Sequence, residues 1–553
     1  MIRARWAVVR CCCWAGAVLR WQLVVTVIAL GWAATAGLQQ GATNRLYAQA
    51  RGEITLEFRE RESEAPLVSR VKVLSPTGQP QRVRGALYRQ GWNLFERPLS
   101  YTGRVGEYTY QCFHGPQFSS ASGGFTLDVK SQAHAVVHLP RHADVALEGW
   151  VGGDLLSQVA ADETLRWLAA EDLTVAAVVS DTFVPAIKSE EALLTEPQAI
   201  TEPTDDTPTR SPLPVAAGSS PRWVHAESYW DARPGSGLLL HHWLPPAEVP
   251  QALPSSRLLV MSKEAQRTPE QLPVHAEIQS LGARDVPIWL ASGKIDSVQV
   301  LGPHVTIDGL RAPGVEPLVE PEPGRFQGPR RAGRLVEYLY WQILECGFRL
   351  PPSAGSGFGE NTSPLGYNRI YAYAPHPTPS AWWQAVRDGQ SFVTNGPLLR
   401  ATVNGEVPGK LFTAPAGEKL ELQVALTLTV ADPVEYLEVV FNGGTLYRAR
   451  LDEYARAGGV IPPLTVSESG WLLIRVVTDI DNTYRLATTA PYYVEVGGRP
   501  RISAQSVSLF QAWLERAAEQ IESAGLETAQ AAQPYLAAAR QFWEQQAAAA
   551  TVP

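Results

Sequence analysis

The stretch Asp162-Glu163-Thr164-Leu165-Arg166-Trp167-Leu168-Ala169-Ala170, followed four residues later by Val175-Ala176-Ala177-Val178-Val179, decides how the middle of this chain is read. Leu165, Leu168 and Ala169 share one helical face, and Asp162 is placed to cap the first turn. The run that follows is apolar without alternation, which suits a strand covered on both faces. Helix then buried strand is the rhythm of a parallel sheet.

The same rhythm recurs downstream. Pro287-Ile288-Trp289-Leu290-Ala291 and Ser297-Val298-Gln299-Val300-Leu301 read as strands. Leu335, Leu339, Ile343 and Cys346 define one face of a helix closed by Gly347. Ser380 caps a helix through Arg387, and Gly389 ends it before the strand Ser391 to Thr394. Residues 147–397 therefore read as one α/β domain, barrel-like in layout. Two insertions interrupt it, 194–222 and 311–329, both rich in Pro and acid and poor in apolar side chains.

Alternating strands lie on both sides. Ile54 to Phe58, Ser69 to Leu74 and Phe125 to Val129 assign 51–146 to a β-sandwich. Leu420 to Val424, Tyr436 to Phe441 and Leu472 to Val477 assign 398–498 to a second one. Residues 499–553 form a helical tail. In it Phe510, Leu514, Ala517, Ile521 and Ala524 keep helical spacing, Gly525 breaks the run, and Pro534 opens or kinks a second segment. A helix pair docked on the body is the plain reading of that tail; a partner-binding helix is the other.

The 553 residues allow three or four domains. The first fifty hold five of the 47 basic side chains and no acidic one, so the remainder carries 42 against 55. An acidic body without basic runs speaks against nucleic-acid binding. Arg3, Arg5, Arg10 and Arg20 precede the uncharged run Leu23 to Ala36, the order of an export signal. Small residues at Ala34-Thr35-Ala36 and Ala48-Gln49-Ala50 give cleavage points near 36 or 50, with an uncleaved anchor as the alternative. Export places the body in the periplasm or outside the cell, and any membrane contact runs through an uncleaved N-terminal segment. Of five cysteines only Cys112 and Cys346 lie in the body. One disulfide between them is open; a disulfide framework is not.

Loops after strands rank the polar residues. Asp154 follows Gly153 in the first central strand, and Asp181 follows the second. His275 and Glu277 share one face of a short strand, a pairing compatible with a metal. His304 follows the strand ending at Leu301. These five are the candidate metal or polar site. Each has a structural alternative: a capping carboxylate, a solvated edge pair, a hydrogen-bonded histidine. If His241-His242 is extended, its rings point to opposite faces and at most one joins a site. The run Gly355-Ser356-Gly357-Phe358-Gly359 lacks dinucleotide spacing, and neither a G-x-S-x-G elbow nor a zinc-type Cys pair occurs.

At Gly149-Trp150-Val151-Gly152-Gly153-Asp154-Leu155-Leu156-Ser157-Gln158 the chain resembles the opening motif of the PHP (polymerase and histidinol phosphatase) superfamily of metallohydrolases, nearest the CehA/McbA, carbaryl-hydrolase-like family. The resemblance extends through Trp289-Leu290-Ala291-Ser292-Gly293, Cys346-Gly347-Phe348-Arg349-Leu350-Pro351-Pro352-Ser353, Pro364-Leu365-Gly366-Tyr367-Asn368-Arg369 and Thr394-Asn395-Gly396-Pro397. It implies a distorted β/α barrel flanked by two β-sandwiches, with metal-dependent hydrolysis as the ancestral chemistry. The family's opening Gly-Asp-Leu-His-x-His has Leu156 and Gln158 where the metal-binding histidines stand. Its Thr-Asp-His has Thr182 in place of the histidine, and its late Gly-Ser-Asp has Gly357 in place of the carboxylate.

A catalytic divalent metal needs about three protein ligands and an open position for water. Leucine offers no lone pair, and a carboxamide is a poor substitute for imidazole. The sequence therefore reads as an exported, catalytically degenerate relative that binds an unidentified ligand or cell-envelope partner. A hydrolase of ester or phosphoester bonds with one Zn or Mn held by the surviving residues is the first alternative, and a structural envelope component is the second. No other cofactor is expected.

Overall fold

The computed structural model describes residues 50–180, 221–309, 317–319, 322 and 324–553. Residues 1–49, with the expected export signal, Asp181, Thr182, nearly all of 194–222 and about half of 311–329 lie outside the described residues. Among the described residues no helix is long and apolar enough to cross a membrane. The molecule is mostly sheet, with layered β units at both flanks and a helical C-terminal tail.

The N-terminal unit has two sheets facing each other. The strand Arg51–Glu60 sits between Leu99–Arg104 (antiparallel) and Gln132–Leu139 (parallel). The second sheet is built on Ser69–Leu74 and Gly106–Phe113. Period-two alternation turns Ile54, Leu56 and Phe58 inward against Val71, Val73 and Cys112. Cys112 is a free thiol in this core, and Cys346 is a free thiol in a different one. Burial pushes the Cys112 thiol up to about 12, so it stays protonated.

In the central region Trp150–Ser157, Val175–Ser180 and Trp223–Asp231 run parallel. Leu238–His241 then runs antiparallel to both of its neighbours. Beyond it, His275–Ile278, Ser297–Leu301 and Pro352–Ala354 resume the original direction. The last turns back to the first: Gly357 N donates to Leu156 O (2.9 Å), Gln158 N donates to Phe358 O (2.9 Å), and Ser157 bridges Phe358 in parallel. On its other edge Trp150–Ser157 pairs with Arg369–Tyr373, and the sheet continues through Ser391–Thr394, Leu486–Thr489 and Gly470–Thr478 to Val434–Phe441 and Gly444–Ala449. One sheet thus crosses position 397. Leu398–Val403 and Val424–Thr429 pack over its far end through Leu399, Val403, Val439 and Ile474.

Three local expectations need correction. The run Pro287 to Ala291 is not a strand but part of the helix Val286–Ala291. A wholly apolar five-residue run carries no periodicity to tell the two apart, and Pro287 stands in the first turn, where its missing N–H is not needed. Asp162 does not cap the first central helix: Ala160 occupies the cap without a side-chain bond, and Asp162 and Glu163 lie inside the first turn. The Trp383 helix, Pro379–Arg387, is capped not by Ser380 but by Thr378, whose hydroxyl accepts from Ala381 N (3.1 Å).

The tail forms two helices, Ala504–Ser523 and Leu526–Ala548, with Gly525 at φ +121° between them. Pro534 lies inside the second helix rather than opening it. Phe510, Trp513 and Trp543 are buried with Trp289, Leu335 and Ile343 of the body. Trp543 Nε1 also donates to Pro287 O (3.0 Å).

Candidate functional site

The five residues singled out from the sequence do not form one set. Asp154 is fully buried, and its carboxylate accepts from three backbone amides: Leu156 N (3.0 Å), Ser356 N (2.9 Å) and Gly366 N (2.6 Å). Burial raises its pKa, and these bonds oppose the rise. The carboxylate fastens three segments of chain to one another. Asp181 lies outside the described residues. His304 bonds through Nε2 to Val300 O (3.1 Å) and lies beside a cleft of about 430 Å³ that Thr306, Arg331, Thr483 and Tyr484 also line. Burial lowers its pKa to about 4.

His275 and Glu277 are joined, through a serine. Ser297 Oγ donates to Glu277 Oε2 (3.0 Å) and lies 2.7 Å from His275 Nε2. With the hydroxyl proton on the carboxylate side, His275 Nε2–H donates to Ser297 and Nδ1 keeps its lone pair, without a partner. Gln299 Nε2 donates to the other carboxylate oxygen (2.7 Å). Burial pushes Glu277 up to about 7, against the hydrogen bonds it accepts.

Three of the four positions where the resemblance puts metal ligands are brought together by backbone pairing; the fourth, Thr182, lies outside the described residues. Leu156, Gln158 and Gly357 lie within the backbone pairing just described, although about 200 residues separate the two segments. Their side chains do not suit a metal. Leu156 is buried against Val179 and Leu239. The Gln158 amide reaches Glu360 Oε2 (3.3 Å). Gly357 sits at φ +65°, and a Cβ there would come within 2.9 Å of Asn361 and Pro303. Among the described residues no three His, Cys, Asp or Glu side chains gather as a ligand set.

Sequence reading missed a second cluster. Four imidazoles surround the indole of Trp383: ring centroids lie at 4.6 Å for His242, 5.1 Å for His241 and His275, and 5.7 Å for His225. Trp383 Nε1 donates to His225 Nε2 (3.2 Å). His241 Nδ1 lies 3.0 Å from Ser228 Oγ. The expectation that only one of His241 and His242 joins a site fails because the chain is not extended there. His242 has φ +60°, which turns both rings to the same indole. The available signal was numerical: four of the ten histidines fall between 225 and 275.

No family model matches the chain, and no curated protein matches it. Among solved structures, GBS52, the minor pilin of Streptococcus agalactiae, is 14% identical over 17% of this chain and 46% of its own, with a TM-score of 0.15. The Bacillus anthracis TIE protein is 12% identical over 20% of this chain and 19% of its own, at 0.14. The fibronectin(III)-like modules of Clostridium thermocellum CbhA are 16% identical over 17% of this chain and 94% of their own, at 0.12.

Proposed function

We propose that this chain is an exported PHP-like barrel, of the CehA/McbA type, that has lost its hydrolytic metal site and serves as a binding module for a ligand or cell-envelope partner. One observation carries the reading. The opening motif and the late glycine loop, distant in sequence, pair directly through their backbones at the end of the first central strand, and the residues at the ligand positions there are Leu156, Gln158 and Gly357. An alkyl group and a hydrogen atom cannot replace imidazole and carboxylate, and the amide that remains is a weak ligand. Asp154, the one acidic survivor among the described residues of those motifs, spends its lone pairs on three backbone N–H groups.

The test is an assay of the full chain against simple phosphomonoesters, carboxylic esters and carbamates, with Zn²⁺ or Mn²⁺ added. No turnover above the metal-containing buffer is expected. Turnover that disappears in Glu277→Gln or His304→Ala would overturn the reading and establish the hydrolase with a reduced site.

A further inference from the structure

The histidine–tryptophan cluster sits at one end of the central sheet. His225 lies near the start of its strand, and His275 opens the next strand of the same direction. His241 closes the intervening antiparallel strand, so all the rings collect at the N-terminal ends of the parallel strands. The helix Pro379–Arg387 covers that end. Trp382 donates its indole N–H to Val151 O (3.0 Å), and the ring fills the space that a Cβ on Gly153 would need. Trp383 enters the ring of imidazoles.

Three buried ring nitrogens in the cluster have no hydrogen-bond partner: His241 Nε2, His242 Nε2 and His275 Nδ1. The charged groups facing the cluster are cationic. Arg387, on the covering helix, and Lys263, on the helix Ser255–Glu264, act on His275; Arg267 acts on His242. The nearby acids are engaged elsewhere: Asp296 pairs with Lys263, Asp388 bears on Arg387, Glu227 bears on Arg267, and Glu277 is reached only through Ser297. A bound cation is disfavoured for the same reason, and the rings are not gathered as a ligand set. The arrangement tolerates neutral imidazole and nothing more positive.

We propose that this cluster is an acid-sensitive latch: proton uptake by the four imidazoles expels Trp383 and releases the helix Pro379–Arg387 from the strand ends. Burial is the first cause holding all four rings below the ordinary imidazole range, His225 to about 4, with the neighbouring rings and cations adding to it at His241, His242 and His275. The sign follows. A base whose pKa is depressed in the closed form and free in the open form favours opening as pH falls below about 6.5. Each imidazole contributes up to about tenfold in the opening constant per pH unit in that window. Glu277 works in the opposite direction by binding a proton in the closed form below about 7, which blunts the response without reversing four histidines.

The experiment is hydrogen exchange of the full chain, read on peptides covering Pro379–Arg387 at pH 6.5 and pH 5 and corrected for the intrinsic chemical rate. The opening constant is expected to rise by more than about 100-fold. The double variant His225→Gln/His242→Asn removes two titrating groups. Gln keeps an acceptor for the Trp383 N–H, and Asn tolerates the positive φ at 242. Exchange at pH 7.5 and circular dichroism check that this variant folds, and because the opposing Glu277 contribution stays, its pH dependence is expected to be less than half as steep on a logarithmic scale. A wild-type opening constant that changes less than threefold between the two pH values overturns the latch, whatever the variant does. A folded variant with the full wild-type steepness overturns it too.

Discussion

Glu277 shows how a residue selected for metal chemistry can be a titration site of another kind. Its carboxyl is held at about 7 by burial, against bonds from Ser297 and Gln299. A raised carboxyl pKa means that the folded chain keeps a proton which the unfolded chain releases near 4.5, so this stabilising contribution is complete below about 4.5 and lost as pH rises through about 7. The clustered histidines charge in the unfolded chain of both proteins alike over pH 6.5 to 8.5, so the difference between wild type and Glu277→Gln isolates the carboxyl. Urea unfolding over that interval is expected to show wild type losing about 1 kcal/mol that Glu277→Gln does not lose. Equal slopes in the two proteins would place the proton elsewhere. At this scale the sequence was partly legible. The shared strand face of His275 and Glu277 was correct, but the hydroxyl joining them belongs to Ser297 on the next strand, and no local pattern announces it. Asp154 was visible as a carboxylate in a motif; that three amides would converge on it depends on chain pairing across 200 residues.

Among elements, the strands with clear alternation and the helices with clear stripes were readable, because burial imposes period two or 3.6 on them. Arg51–Glu60 and Ala504–Ser523 are examples. The failures fall where an element is apolar on every side, as at Val286–Ala291, or where a cap is chosen by geometry among adjacent hydroxyls, as at Thr378 and Ser380. The tail belongs with the successes, and it carries a prediction. Trp543 is fully buried among Phe510, Phe542 and Phe348, and its N–H satisfies Pro287 O. Trp543→Ala is expected to cost about 3–5 kcal/mol in urea unfolding, with Trp543→Phe recovering part of the packing and leaving the carbonyl unpaired. A loss below about 1 kcal/mol would mean that the tail helices do not rest on the body in solution.

The whole molecule is tied together by features that no segment shows alone. The central sheet runs without interruption from Pro352–Ala354 to Gly444–Ala449, so the strands on either side of position 397 share ladder hydrogen bonds. Across the same junction Arg475 (2.6 Å) and Tyr484 (2.7 Å) donate to Glu337, and Arg475 also donates to Glu438 on its own side. These buried ions keep one another's charges compensated, and the Arg475 and Tyr484 bonds to Glu337 add to the ladder that joins the two halves. The N-terminal unit is attached differently. It meets the body through Arg70 and Glu171 (2.5 Å), Arg89 and Glu163 (2.8 Å), and a modest apolar patch around Leu94 and Trp167, with no shared sheet. Native-state hydrogen exchange in rising urea should therefore find one common opening free energy for Arg369–Tyr373, Ser391–Thr394, Leu486–Thr489 and Gly470–Thr478, and a separate, lower one for residues 51–139. If the strands before and after 397 open with free energies more than about 2 kcal/mol apart, the ladder between Ser391–Thr394 and Leu486–Thr489 does not couple them, and the central and C-terminal regions unfold as independent units.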